Sequence, residues 1–252
     1  MRENLPSTSW LVFSNFRSQE KLRLFCFPYA GGGASIFRNW AAHLPAEVEL
    51  CAIQLPGRGH RLMEPCFSQL TPLVHTLADI LLPHLEQPFA FFGHSMGALI
   101  SFELTRHLNK QFHICPSQLF VSGHGAPQLP RLSPPIHNLP DEKFCEELRR
   151  LNGTPEEILE QPEIVQLLLP CLRADFAMCE TYCYLADSPL TCPVTAFGGL
   201  QDQEVSREQI EGWNTQTNAP FLLKMLPGNH FFLHTSEPLF LQMLSQELHR
   251  LI

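Results

Sequence analysis

The sequence predicts an α/β fold: a mostly parallel central sheet with helices on both faces and a helical lid insertion. Three observations point to it. Short apolar runs of strand length alternate with segments whose apolar residues recur at helical spacing, the rhythm of an open parallel sheet. One junction, Phe91-Phe92-Gly93-His94-Ser95-Met96-Gly97, reads as strand, sharp turn and helix. The rhythm breaks once, between about 126 and 184, where helical patterns follow one another with no strand between them. At 252 residues the chain can bury a substantial core, and the patterns describe a single domain over 1–252 with the lid inserted at about 126–184.

Residues 1 to about 20 are polar and irregular apart from Trp10-Leu11-Val12-Phe13, a candidate N-terminal strand or loose arm. Lys21 to Phe27 is an apolar strand followed by the loop Pro28-Tyr29-Ala30-Gly31-Gly32-Gly33, and Ser35 stands as N-cap of a helix over Ile36 to Leu44. A second strand, Val48 to Ile53, ends in the loop Leu55-Pro56-Gly57-Arg58-Gly59. Leu70, Leu73, Val74, Leu77, Ile80 and Leu81 then mark one face of a helix packed on the sheet. The strand Phe89 to Phe92 leads into the serine turn and its helix, and Gln118 to Ser122 is another buried strand.

Beyond it, prolines cluster at 127, 130, 134, 135 and 140, and amphipathic helical stretches lie near 141–151 and 163–183. This insertion falls between two strands whose C-terminal ends should face Ser95, so a cap over the site is favoured over a second structural layer. The alternation resumes with a strand at Pro193 to Phe197, a loop from Gly198 to Glu204, a helix near Arg207 to Trp213 and a strand from Phe221 to Leu226. After the loop Pro227-Gly228-Asn229-His230, the last helix runs from Pro238 to Leu251 with Ser236 as its cap.

A net charge of -8 and the lack of any lysine-arginine run argue against a nucleic-acid partner. Met1-Arg2-Glu3-Asn4-Leu5-Pro6-Ser7 contains no apolar h-region, and no uncharged run is long enough to cross a bilayer, so a soluble cytoplasmic monomer without membrane contact is expected. The nine cysteines are scattered and free of any C-x-x-C pair, which suits buried reduced thiols better than disulfides. Cys179 and Cys183, four apart on an expected helix, lack a second ligand pair nearby, so neither a metal nor another cofactor is expected.

The chemistry centres on Gly93-x-Ser95-x-Gly97. In a strand-turn-helix of this kind the serine hydroxyl is exposed at the tip beside a helix N-terminus, and the glycines remove Cβ atoms that would collide with the neighbouring strand and helix. A serine needs a base, and the base needs a carboxylate to fix its tautomer. In α/β-hydrolase order these arrive as Ser, then Asp or Glu, then His, each after a strand. Ser95, Asp202 and His230 satisfy that order, with Glu204 competing with Asp202 in the same loop. Asp187 falls at the opposite end of the sheet, His234 is the reserve base, and His94 is expected to shape the pocket. The tetrahedral intermediate needs two amide donors: Met96 N–H, directly after the serine, and a donor from the loop Tyr29 to Gly33, for which Ala30 is chosen.

Five ordered blocks now resemble one family. Phe27-Pro28-Tyr29-Ala30-Gly31-Gly32, Leu55-Pro56-Gly57-Arg58, Phe92-Gly93-His94-Ser95-Met96-Gly97, Leu172-Arg173-Ala174-Asp175-Phe176 with Glu180-Thr181-Tyr182, and Gly228-Asn229-His230-Phe231-Phe232-Leu233 are similar to the type II thioesterases that stand beside nonribosomal peptide and polyketide synthases, α/β-hydrolases in fold. The resemblance covers nearly the whole chain. It implies Ser95 as nucleophile, Asp202 as acid and His230 as base, with Ala30 and Met96 as oxyanion amides. The acid loop Gly199-Leu200-Gln201-Asp202-Gln203-Glu204 departs from the family, which usually has a second aspartate or proline after the acid, and this keeps Glu204 open as an alternative.

What the resemblance implies for function is hydrolysis of acyl groups from the phosphopantetheine arm of acyl or peptidyl carrier protein domains, releasing stalled or misloaded chains. Phe and Leu side chains over 144–172 are then candidates for an apolar acyl pocket, besides packing the lid's own core. Three rivals remain at this point: a medium-chain thioesterase of fatty acid synthesis with the same mechanism, a lipase or carboxylesterase acting on free oxygen esters, and a noncatalytic carrier-binding module.

Overall fold

The computed structural model describes residues 9–14, 20–131 and 133–252, and the rest of the irregular N-terminal stretch lies outside the described residues. Its strands are β1 (Leu11–Phe13), β2 (Leu22–Phe27), β3 (Val48–Ile53), β4 (Phe89–His94), β5 (Gln118–Ser122), β6 (Val194–Gly199) and β7 (Phe221–Leu226). They form one sheet in the order β1-β3-β2-β4-β5-β6-β7. Every neighbouring pair from β3 to β7 is parallel, while β1 adds an antiparallel edge with Leu11 opposite Ile53. Trp10-Leu11-Val12-Phe13 is therefore an edge strand, not a loose arm.

The helices are α1 (Leu70–Leu81), α2 (Met96–Phe112), α3 (Asp141–Leu151), α4 (Glu156–Leu159), α5 (Pro162–Glu180), α6 (Arg207–Glu211), α7 (Phe232–Thr235) and α8 (Glu237–His249). Strands buried on both sides read as unbroken apolar runs because alternate residues enter opposite cores. Phe89 and Phe91 of β4 pack with α1 and α2, whereas Ala90 and Phe92 pack with Phe37, Trp40 and Phe240 on the other face. A third, smaller apolar cluster joins Phe144 and Leu148 of α3 to Leu159, Leu169 and Leu172 of α4 and α5, so the inserted segment has a core of its own. No helix among the described residues is long and apolar enough to cross a membrane.

Several boundaries differ from expectation for identifiable reasons. The helix expected over Ile36 to Leu44 is two 3-10 turns, Ala34–Phe37 and Trp40–Ala42, and Ser35 makes no cap. Buried Ala34, Phe37 and Trp40 recur every third residue, which is the face a 3-10 turn presents. Gln54 Oε1 accepts the Ala34 amide at 2.9 Å, doing what a serine cap would have done. Ser236 does sit at the start of α8, but its hydroxyl donates to Pro227 O at 2.7 Å and caps nothing. The short helices α4 and α7 fall outside the helical stretches expected from the sequence, and α5 ends at Glu180, so Cys179 and Cys183 do not share one helix.

The serine turn is held by backbone-to-backbone contact. A Cβ on Gly93 would lie 2.0 Å from Gly97 O, and one on Gly97 would lie 2.1 Å from Phe27 O. Neither neighbour is a side chain that can swing aside. Gly97→Ala should therefore lower the unfolding free energy by about 3 kcal/mol, the upper range for overpacking. Gly125→Ala, whose nearest neighbour is Gln209 Cβ at 3.2 Å, should cost under about 1 kcal/mol. Denaturant titration of both variants measures the difference, and equal midpoints would contradict the backbone contact.

Candidate active site

Ser95 occupies the first position before α2 with φ 52° and ψ -116°, a sparsely populated conformation for a residue with a side chain. Its amide donates to Ser122 O at 2.7 Å, tying the turn to the end of β5. Met96 begins the helix that follows and lines the same cavity as Ser95. In the loop after β2 the amides are divided: Gly31 N–H donates to Asp175 Oδ2 at 2.7 Å and Gly32 N–H to Tyr29 O at 2.9 Å. Among the described residues the amides of Ala30 and Met96 have no protein acceptor, and both residues line the same cavity as Ser95.

Two other loops carry the expected acid and base. Leu200 N–H donates to Leu226 O at 2.8 Å and Gln201 N–H to Gly228 O at 2.9 Å, so the loops after β6 and β7 are stitched together. Across that seam His230 Nδ1–H donates to Asp202 Oδ2 at 2.9 Å. The Asp202 side chain is 1% exposed, and its other oxygen accepts Glu204 N–H at 2.9 Å and Val205 N–H at 3.2 Å. With Nδ1 occupied, the bare lone pair of His230 is on Nε2. His230 and Ser95 share the cavity wall, and no hydrogen bond joins them among the described residues. Apo sites often close that bond only with substrate in place.

The alternatives are placed elsewhere. The Glu204 carboxylate accepts from Arg150 Nη1 at 2.6 Å, reaching α3 instead of the imidazole. Asp187 pairs with Arg106 and Lys110, each at 3.7 Å, and His234 Nε2 meets the Tyr29 hydroxyl at 2.9 Å. His94, expected in the pocket wall, is instead fully buried behind it, with Nδ1 2.9 Å from Ser122 Oγ and its ring 5.2 Å from that of His230. No cluster of three metal-ligating side chains occurs among the described residues.

The cavity has a volume of about 510 Å³. Leu148, Leu151, Leu172, Phe176 and Ile136 of the inserted segment form much of its apolar wall, while Phe144, Leu159 and Leu169 pack inside that segment. Sequence reasoning missed three polar features here. Arg58 and Asp175 form a buried ion pair beneath the Ala30 loop, and both lay inside the quoted blocks without a stated purpose. His124, directly after Gly123 at the end of β5, lines the cavity with Nδ1–H donating to Gly125 O at 2.6 Å. Enclosure of the His124 ring lowers its pKa to about 4, with the Gly125 bond acting in the other direction. Burial, reinforced by the charges of His230 and His234, likewise holds His94 well below the ordinary histidine value.

The thioesterase domain family matches residues 22–248 of this chain. The chain belongs to the thioesterase family. It is accordingly a thioester hydrolase of α/β-hydrolase type. The gramicidin S biosynthesis protein GrsT of Aneurinibacillus migulanus is 48% identical over 239 residues, which cover 95% of this chain and 93% of that protein. The medium-chain S-acyl fatty acid synthase thioesterase of Rattus norvegicus is 33% identical, covering 84% and 81% respectively. Among solved structures, the type II thioesterase BorB from the borrelidin biosynthetic cluster superposes with a TM-score of 0.88 at 34% identity, covering 97% of this chain and all of that one.

Depressed histidines such as these make stability depend on pH. Unfolded His124 titrates near 6.5 and the folded ring near 4, so between those values the unfolded chain binds more protons. Its contribution is fully present above pH 6.5 and is lost as the pH falls toward 4; His94 acts in the same direction. The thermal midpoint should therefore drop between pH 7 and pH 5, and His124→Gln should flatten part of that slope. An unchanged slope in the variant would locate the effect elsewhere.

Proposed function

We propose that this chain removes acyl groups from the phosphopantetheine arm of carrier proteins, clearing stalled or misloaded chains from a peptide or polyketide synthase, through Ser95, His230 and Asp202. The observation that carries the reading is the 2.9 Å Asp202–His230 pair facing the same cavity as a strained serine and two unpartnered amides. Ser95 Oγ attacks the thioester carbonyl carbon while His230 Nε2 takes its proton, and the oxyanion rests on Ala30 N–H and Met96 N–H. Collapse expels the pantetheine thiolate, a good leaving group that takes up the proton from His230. Water, deprotonated by the same nitrogen, then attacks the acyl-serine, and the free acid leaves as Ser95 recovers its proton.

The inserted segment at about 126–184 acts as the lid in this reading. Its apolar wall accepts the acyl group, and the volume suits a small or medium chain. The chain works as a single-domain cytoplasmic monomer whose partner is the carrier domain, with no nucleic acid, membrane or cofactor involved. Similarity to the rat enzyme favours a second reading, release of medium-chain acids from fatty acid synthesis. The higher identity to GrsT supports the synthase assignment over it.

Free acid released from an acyl-phosphopantetheinyl carrier protein is the deciding measurement. Ser95→Ala should lower kcat at least about 10³-fold, leaving only binding and oxyanion stabilisation. Asp202→Asn should lower it by about 10² to 10⁴ because the imidazole loses its orienting partner. Glu204→Gln should stay within about threefold of the parent, since its carboxylate is engaged with Arg150. Loss of activity in Glu204→Gln with retention in Asp202→Asn would transfer the acid role, and an active Ser95→Ala would end the serine reading.

A further inference from the structure

We infer that Arg58 and Asp175 are positioning residues for the oxyanion site: their buried ion pair fixes the turn that presents Ala30 N–H, and it anchors that turn to the helix forming the acyl wall. The inference rests on the serine mechanism proposed above.

The geometry starts in the turn itself. Tyr29 O accepts Gly32 N–H at 2.9 Å, and Gly31 at the third position has φ 76°, the signature of a type II turn. Ala30 at its second position leaves its amide outside the turn's own hydrogen bond. A free-standing turn of this kind on a glycine-rich loop would be loosely defined, because two of its four residues carry no side chain to pack. Here it is held at two further points. Asp175 Oδ2 accepts Gly31 N–H at 2.7 Å, and Arg58 Nη1 donates to Gly32 O at 3.2 Å.

The two anchors are one unit. Arg58 Nη1 and Nη2 donate to the two Asp175 oxygens at 2.7 and 2.8 Å, a two-pronged contact, while Arg58 Nε is steadied by Pro56 O at 3.2 Å. The side chains are 7% and 1% exposed. Burial opposes the charge on Arg58, yet the adjacent Asp175 carboxylate outweighs it and raises the guanidinium pKa above its usual value. The pair joins the loop after β3, the loop after β2 and α5.

Burying two charges is a poor way to gain stability, since desolvation offsets most of the attraction. What such a pair supplies is direction: planar, two-pronged bonds specify where a peptide lies, as apolar contact does not. The peptide so specified adjoins the proposed oxyanion donor. Asp175 also sits between Leu172 and Phe176, which line the cavity, and a Cβ on Gly31 would meet Leu172 Cδ2 at 2.6 Å. An acyl group pressing on α5 thus acts on the same unit that aims the Ala30 amide.

The test replaces both charges at once. Arg58→Met with Asp175→Leu removes the pair without stranding either charge, so the thermal midpoint should stay near that of the parent. With an acyl-phosphopantetheinyl carrier protein as substrate, kcat should fall about 100-fold while KM stays within about threefold. An acyl trifluoromethyl ketone, which forms a tetrahedral adduct with a nucleophilic serine, should bind weaker by the same factor. The matching acyl-pantetheine amide, which forms no adduct, should bind unchanged. Arg58→Lys keeps the charge but cannot make both prongs and the Gly32 contact, and should lose about tenfold in kcat with KM unchanged.

Parent-like kcat in either folded variant overturns the inference, as does a loss of amide affinity in proportion to kcat, the mark of a general structural role. Should the double variant fail to fold, Arg58→Lys alone decides by the same criteria. Ser95→Ala run alongside separates the two levels: parent-like hydrolysis there removes the serine mechanism and this inference together, whereas a strongly impaired Ser95→Ala beside an unaffected pair variant removes only the inference.

Discussion

Three stretches of backbone come into contact at one point, and much else follows from it. Gly93 on β4, Gly97 on α2 and the carbonyl of Phe27 on β2 approach so closely that no side chain fits between them. A strand and a helix meeting at that distance leave one residue to reverse the chain, and Ser95 takes a backbone conformation that costs on the order of 1 to 3 kcal/mol. The sheet can bear that cost because both faces of β4 are packed, with Phe91 in one core and Phe92 in the other. The same approach sets Gly97, the residue after Met96, against the end of β2, where the Ala30 loop begins. The strained Ser95 tip and the proposed anion site therefore share one packing constraint.

The other half of the site is built differently. The acid and base loops contain no comparable strain; they are held by hydrogen bonds between the ends of β6 and β7, and by a carboxylate whose two oxygens are both engaged. A fixed Asp202–His230 pair facing an unjoined serine leaves one adjustable distance, and in the proposed mechanism that is where the thioester would lie. The ring of His94 behind His230 is kept neutral by burial, so it adds bulk without adding a second positive charge against the imidazolium that the proposed mechanism forms. A charged neighbour at that distance would oppose proton uptake by the base.

Much of this was legible because it is local or periodic. Strand runs such as Val48–Ile53 and the helix Leu70–Leu81 coincide with their apolar patterns, and the serine turn declares itself in seven residues. The order of Ser95, Asp202 and His230 needed only the rule that each follows a strand. Less was legible where two periods are close: Ala34, Phe37 and Trp40 fit a three-residue repeat that a helical reading absorbs, and the outcome was set by Gln54 on a different loop. Which of Asp202 and Glu204 meets His230 could not be read from their own loop, because Arg150 on α3 takes Glu204. Arg58 and Asp175 lie 117 residues apart, and no local pattern announces which buried carboxylate a distant guanidinium will meet.

That last separation bears on how the inserted segment relates to the rest. It carries its own apolar cluster, which would let it pack as an independent cap, and a cap held only by apolar contacts could shift without disturbing the sheet. Yet its longest helix, α5, sends Asp175 into the loops that follow β2 and β3. Apolar surfaces slide at little cost, whereas a buried charge pair has one geometry that satisfies it and leaves an uncompensated charge in any other. The insertion is thus tied to the sheet by a polar contact beside the Ala30 loop, where a displacement of α5 would act on the turn that carries the Ala30 amide.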